Sequence, residues 1–119
     1  MRNVRNQVQL IGNLGKAVEL KTTSGDRKVA TLNLAVNFRY TNQIGQQVEN
    51  TDWFRVVAWG FTAENMEKVL HKGDHVMIQG RLATRTYEDP DRGTQYVTEV
   101  IADQFLLISS AAKAEARAV

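Results

Sequence analysis

The sequence predicts a small all-β domain interrupted by one helix, and three observations carry that prediction. Apolar residues recur at every second position in several separated runs, which is the period of a half-buried strand. One stretch, 61–73, switches to helical spacing. Polar, glycine-containing segments divide the runs, as hairpin turns do.

The elements follow in order. "NQVQLIGNL" alternates through Val8 and Leu10 and stops at Gly12 and Gly15. "VELKT" is a short second piece. "KVATLNLAVNF" puts Val29, Thr31, Asn33, Ala35 and Asn37 on one side and Ala30, Leu32, Leu34, Val36 and Phe38 on the other. The second set is the expected core face. "YTNQIGQQVENT", polar and centred on Gly45, reads as a long hairpin loop. "NTDWFRVVAWG" is the third long strand. In "FTAENMEKVLHKG" Met66, Val69 and Leu70 take helical spacing, with Thr62 as N-cap and Glu64 in the first turn. Lys68 and Lys72 lie toward its end, and Gly73 is the stop. "DHVMIQGRLATRTYE" returns to strand, with a bulge or bend expected at Gly80. "DPDRGTQ" is a turn, and "YVTEVIADQFLLIS" is the last strand. A helix between the third and fourth long strands fits an OB-fold, a five-stranded Greek-key barrel. Short all-β barrels of other topology share the pattern.

The chain has 119 residues, enough for one domain. We expect that domain to span residues 1–108, followed by a disordered Ala-rich tail over 109–119, "SSAAKAEARAV". Hydrophobic residues make up 43% and charged residues 24%, the balance of a soluble globular protein. No apolar run approaches the roughly 20 residues of a membrane span, and the start lacks a signal-peptide core. No membrane association is expected, and the cytoplasm is the expected compartment. The chain has no cysteine, which excludes disulfides and thiolate zinc sites.

Catalytic machinery is hard to find. His71 and His75 have a metal-ligand spacing, but Gly73 between them should end the helix and make them diverge. "GNLGK" is too short between its glycines for a phosphate loop. The acids around Pro90 lack the spacing of a calcium loop. Serine occurs only at Ser24, Ser109 and Ser110, so no nucleophile–base pair stands out. The expectation is a non-enzymatic protein with no metal or cofactor.

The informative signal is a set of aromatic and basic residues on outward strand faces. Alternation sends Trp53, Arg55, Val57 and Trp59 to one side of their strand and Phe54, Val56 and Ala58 to the other. Arg39 and Tyr40 begin the preceding loop. Arg81, Arg85 and Tyr87 share a parity on the fourth strand, unless a bulge at Gly80 resets it. The acids gather instead at "EDPD" and on the helix, which leaves the sheet face locally positive despite a net charge of only +2. Interleaved rings and guanidinium groups suit single-stranded nucleic acid, whose unstacked bases lie on the rings. The competing interpretation makes the same face a protein interface, since tryptophan also anchors subunit contacts.

These residues resemble the single-stranded DNA-binding proteins of bacteria. The resemblance runs from about Asn6 to Ser109 and rests on ordered motifs: "NQVQLIGNLG", "VATLNLAV", "NTDWFRVVAWG", "LHKGDHVMIQGRLATRTYED" and "YVTEVIAD". It implies an OB-fold that wraps single-stranded DNA during replication, recombination and repair, commonly as a homotetramer. It further implies base stacking at Tyr40, Trp53, Trp59 and Tyr87 and phosphate contacts at Arg55, Lys72, Arg81 and Arg85. Val8 and Leu10 match the strand through which subunits pair edge to edge. Two stretches depart from the family pattern. "KAVEL" replaces an Asp-Pro-Glu run after the first strand, and "AAKAEARAV" replaces a flexible linker with an acidic tip. Partners recruited through such a tip are therefore not expected. The alternative is an OB-type accessory dimer whose aromatic face meets protein.

Overall fold

A computed structural model describes residues 5–111. Six strands and one helix follow in order: β1 (Val8–Leu14), β2 (Glu19–Thr22), β3 (Lys28–Thr41), β4 (Gln47–Trp59), α1 (Gly60–Val69), β5 (His75–Asp89) and β6 (Gly93–Ser109). Hydrogen bonding runs β1-β5-β6-β4-β3-β2, and β1 also pairs with β3 through Asn13↔Ala35 and Leu14↔Leu34. That second pairing closes a ring of five strands and leaves β2 hydrogen-bonded to β3 as a short sixth. Among the described residues only the β4–β6 contact is parallel. Closure covers the β1 edge only at Asn13 and Leu14, and leaves it unpaired over residues 8–12 among the described residues.

The inward rows are those the alternation predicts. Leu32 and Leu34 of β3, Val56 and Ala58 of β4, Val76 and Ile78 of β5 and Val100 of β6 are buried together. Helix α1 lies against β3 and adds Ala63 and Met66, followed by Leu70 at its C-cap. Its N-cap is Trp59 rather than Thr62, no side chain caps it, and its first turn has no acid. Thr62 and Glu64 therefore lie deeper in the helix than their residue types suggest.

Three further expectations change. Only residues 42–46 of the polar stretch around Gly45 form a loop, because β3 and β4 continue to Thr41 and Gln47. There the Asn42 side chain accepts the backbone N–H groups of Ile44 and Gln46, which ties the turn tightly. Phe38, expected in the core, lies on this projecting arm and is exposed. The irregularity at Gly80 falls on its partner: Gln79 pairs with Gln104 and Gly80 with Ala102, so Asp103 of β6 is the extra residue. Gly80 is needed for a different reason. A methyl group there would overlap the Ile101 carbonyl oxygen, so β6 approaches as closely as a missing side chain allows.

The end of β6 is anchored. Buried Asp74 accepts the backbone N–H of His71 through Oδ2 at 2.8 Å and that of Ala111 through Oδ1 at 2.9 Å. Ser109 thus completes a strand, while residues 112–119 of the Ala-rich segment lie outside the described residues.

Candidate nucleic-acid interface

Strands β3 and β4 pair without a register shift from Val29↔Trp59 to Thr41↔Gln47. Alternation is therefore unbroken through the tryptophan stretch. Val56 and Ala58 are buried and Phe54 is half-buried, while Trp53, Arg55 and Trp59 point outward. Val57 shares the outward parity yet is buried, between Thr31 of β3 and Ile101 of β6.

Trp53 is 62% exposed and rests on backbone. A methyl group on Gly15 would come within 2.5 Å of its six-membered ring. The sequence marks Gly15 as a strand stop; here it is the floor on which the indole lies.

Beside it, one carboxylate organises two arginines. Nε of Arg55 donates to Oε2 of Glu99 at 3.1 Å, and Nε of Arg85 donates to Oε1 at 3.1 Å. Glu99 is 7% exposed, whereas the arginine side chains are 47% and 50% exposed. Such charge-assisted bonds are short and directional. They fix both guanidinium groups at the surface and leave the triad with one net positive charge. Arg81, Arg85 and Tyr87 keep a single parity, opposite Ile101, Val97 and Gln95, because the bulge sits on β6.

The other predicted residues are dispersed. Trp59 closes the far end of β4, and the Arg27 guanidinium lies over its ring at 4.6 Å from the centroid. Tyr40 stacks on Phe38, with centroids 6.3 Å apart, and both continue the inward parity of β3 along the arm. It is therefore on the opposite strand face from Trp53. Lys72 lies in the turn after α1, in a concavity shared with Val69, His71, Leu107 and Ala111. Val8 and Leu10 pack against the core, so β1 offers a partner its backbone edge rather than these side chains. Among the described residues no three potential metal ligands cluster. His71 Nδ1 instead lies 3.8 Å from Asp74.

Sequence reasoning missed Glu99, Arg27 and Gly15. An acid at an outward strand position looks like a solvated charge, which hides Glu99. Arg27 reaches Trp59 from a turn 32 positions earlier in the chain, with no local signal.

Comparison with known proteins places the chain in a family. The model of the single-strand binding protein family matches residues 5–108. The single-stranded DNA-binding protein of Lactiplantibacillus plantarum is 41% identical over 110 residues, covering 92% of this chain and 54% of that protein. Its counterpart in Streptococcus mutans is 39% identical over 110 residues, covering 92% and 66%. The chain thus spans between half and two thirds of the length of these relatives. Among solved structures, the Plasmodium falciparum SSB in complex with ssDNA superposes with a TM-score of 0.81 at 28% identity, covering 92% of this chain and 99% of that one. A deletion mutant of the Thermus aquaticus single-stranded DNA binding protein gives 0.77 at 30% identity, covering 90% and 52%.

Proposed function

The chain belongs to the single-strand binding protein family, and from that premise we propose that it binds and protects single-stranded DNA without regard to sequence, in replication, recombination and repair. One observation carries this most directly. Trp53 lies open on a glycine floor beside two arginines that a buried glutamate holds at the surface. A base stacked on that ring gains about 1–3 kcal/mol, whatever its identity. Arg55, Arg81, Arg85 and Tyr87 extend the same face, with Tyr40 and Lys72 as outlying contacts on the path of the strand. No catalytic step is assigned. Among the described residues no helix is long and apolar enough to cross a membrane, and the cytoplasm with its nucleoid is the proposed place of action.

Titration with oligo-dT tests this. Tryptophan fluorescence should be deeply quenched, and affinity should fall with salt by a slope of about 0.7 per phosphate neutralised. Absence of quenching at low salt would remove the stacking model.

We further propose that the protein self-associates, with a homotetramer favoured. Two surfaces support this. Among the described residues β1 pairs with β3 only at Asn13 and Leu14, so its edge over residues 8–12 is available to a second copy. On the outward face Ile11, Met77 and Leu106 stand in one register row, with Gln9, Gln79 and Gln104 in the next. Light scattering should give a multiple of the chain mass, reduced by Leu106→Glu. In the competing model, where the aromatic face meets protein, Trp53→Ala with Trp59→Ala breaks the oligomer and spares DNA affinity.

A further inference from the structure

We propose that Phe61, with Arg27 and Lys28, forms an additional nucleotide subsite that continues the DNA path beyond Trp59. This rests on the single-stranded DNA reading and extends it to residues outside the tryptophan–arginine face.

Phe61 is 85% exposed, the highest value among the exposed large hydrophobic residues. Helix α1 buries Ala63 and Met66 instead, so the phenyl ring contributes nothing to the core. It borders a small concavity of about 220 Å³, lined also by Asp26, Arg27, Lys28, Gly60 and Glu64. That volume suits one flat group rather than a large ligand.

The cations are positioned in advance. The β2–β3 turn is tied by Thr23, whose N–H donates to the Arg27 carbonyl and whose Oγ1 accepts the Arg27 N–H. Arg27 is thereby held where it meets both the Trp59 ring and the concavity. Lys28 Nζ donates to Thr22 Oγ1 at 2.9 Å.

The exposed ring selects the occupant. Two cations and two carboxylates balance within the concavity, so charge alone recruits no ligand and the gain must come from stacking on Phe61. A base against Phe61 with a single phosphate near Arg27 and Lys28 gains a stack and an ion pair together. Trp59 and Phe61 are separated only by Gly60 in the chain, and Arg27 serves both. A strand leaving Trp59 therefore meets Phe61 next. The favoured occupant is single-stranded DNA, not an acidic peptide.

The test uses the full chain and oligo-dT, with Phe61→Ala, Phe61→Leu and Phe61→Trp, each checked for an unchanged thermal unfolding midpoint. Phe61→Ala and Phe61→Leu should each weaken binding by about 5- to 150-fold, the loss of one stack, while Phe61→Trp retains affinity. Arg27→Gln with Lys28→Gln should lower the salt slope by about 0.7 for each phosphate no longer neutralised. If the unaltered protein binds dT with deep quenching and Phe61→Ala binds equally well, the subsite is overturned while the DNA reading stands. If the unaltered protein neither binds nor quenches, both fall. An acidic peptide that binds at Phe61 and is not displaced by dT also overturns the proposal.

Discussion

The two tryptophans of β4 share a strand face six residues apart, yet they are held in opposite ways. Trp53 lies on the bare backbone of Gly15, and the nearby cations are held by Glu99. Trp59 carries a cation on its own ring and is 37% exposed, against 62% for Trp53. In sequence the two indoles look alike. What separates them comes from distant segments: the end of β1 and β6 at one, the β2–β3 turn at the other. The Trp53 end is open to a base as it stands. At the Trp59 end a base must share the ring with Arg27 or replace it.

That contrast can be broken in graded steps. The largest effect should come from Arg55→Ala combined with Arg85→Ala, which strands a buried carboxylate. Removing the partners of a buried charge is strongly destabilising, but these guanidinium groups are half exposed, which reduces the loss. We expect about 2–3 kcal/mol by urea unfolding; a loss within error would mean that Glu99 does not organise the Trp53 end.

Next, Trp53→Ala should weaken oligo-dT binding by about 5- to 150-fold. Trp59→Ala should weaken it less, because the stack it removes had to compete with a cation–π contact of about 0.5–1 kcal/mol. Equal effects in the two titrations would erase the distinction between the ends. Gly15→Ala should follow, lifting the Trp53 ring and weakening binding by up to about tenfold, or 1.4 kcal/mol. A shift in tryptophan emission in the free protein would report the displaced indole. Smallest of all, Arg27→Ala should lower stability by no more than about 1 kcal/mol. With Trp53→Phe as background, it should also change the emission of the remaining Trp59; unaltered emission would place the guanidinium elsewhere in solution.

Legibility in the sequence follows contrast between faces. Where one face is buried, as for Leu32, Leu34, Val56 and Ala58, alternation identifies strand and orientation at once. On the β3–β4 arm both faces meet water, so no contrast marks the strand and "YTNQIGQQVENT" reads as loop. Phe38 departs from its expected core position for the same reason: its parity is inward, but the barrel has ended beneath it. Ring closure through Asn13↔Ala35 and the parallel β4–β6 contact join segments far apart in sequence, and neither leaves a local pattern. At the site, parity alone groups Trp53 with Arg55 and Arg85 with Tyr87. The Glu99 clamp that joins the two groups requires coordinates.

The extra residue at Asp103 has a consequence for how this molecule can change length. It shifts the phase of β6: Glu99 and Ile101 face outward before it, while Phe105 and Leu107 pack toward the core after it. The half before the bulge serves the barrel through Val100 and Ala102 and the arginine clamp through Glu99, and the half after it returns Phe105 and Leu107 to the barrel. At the tips of the β3–β4 and β5–β6 hairpins, over 42–46 and 90–92, insertions only lengthen the hairpin. Within either half of β6 a single deletion reverses every side chain beyond it, whereas loss of Asp103 alone straightens the bulge and leaves each side chain on the face it holds. The hairpin tips are where this architecture can vary freely, and the bulge is the point from which both halves of β6 keep count.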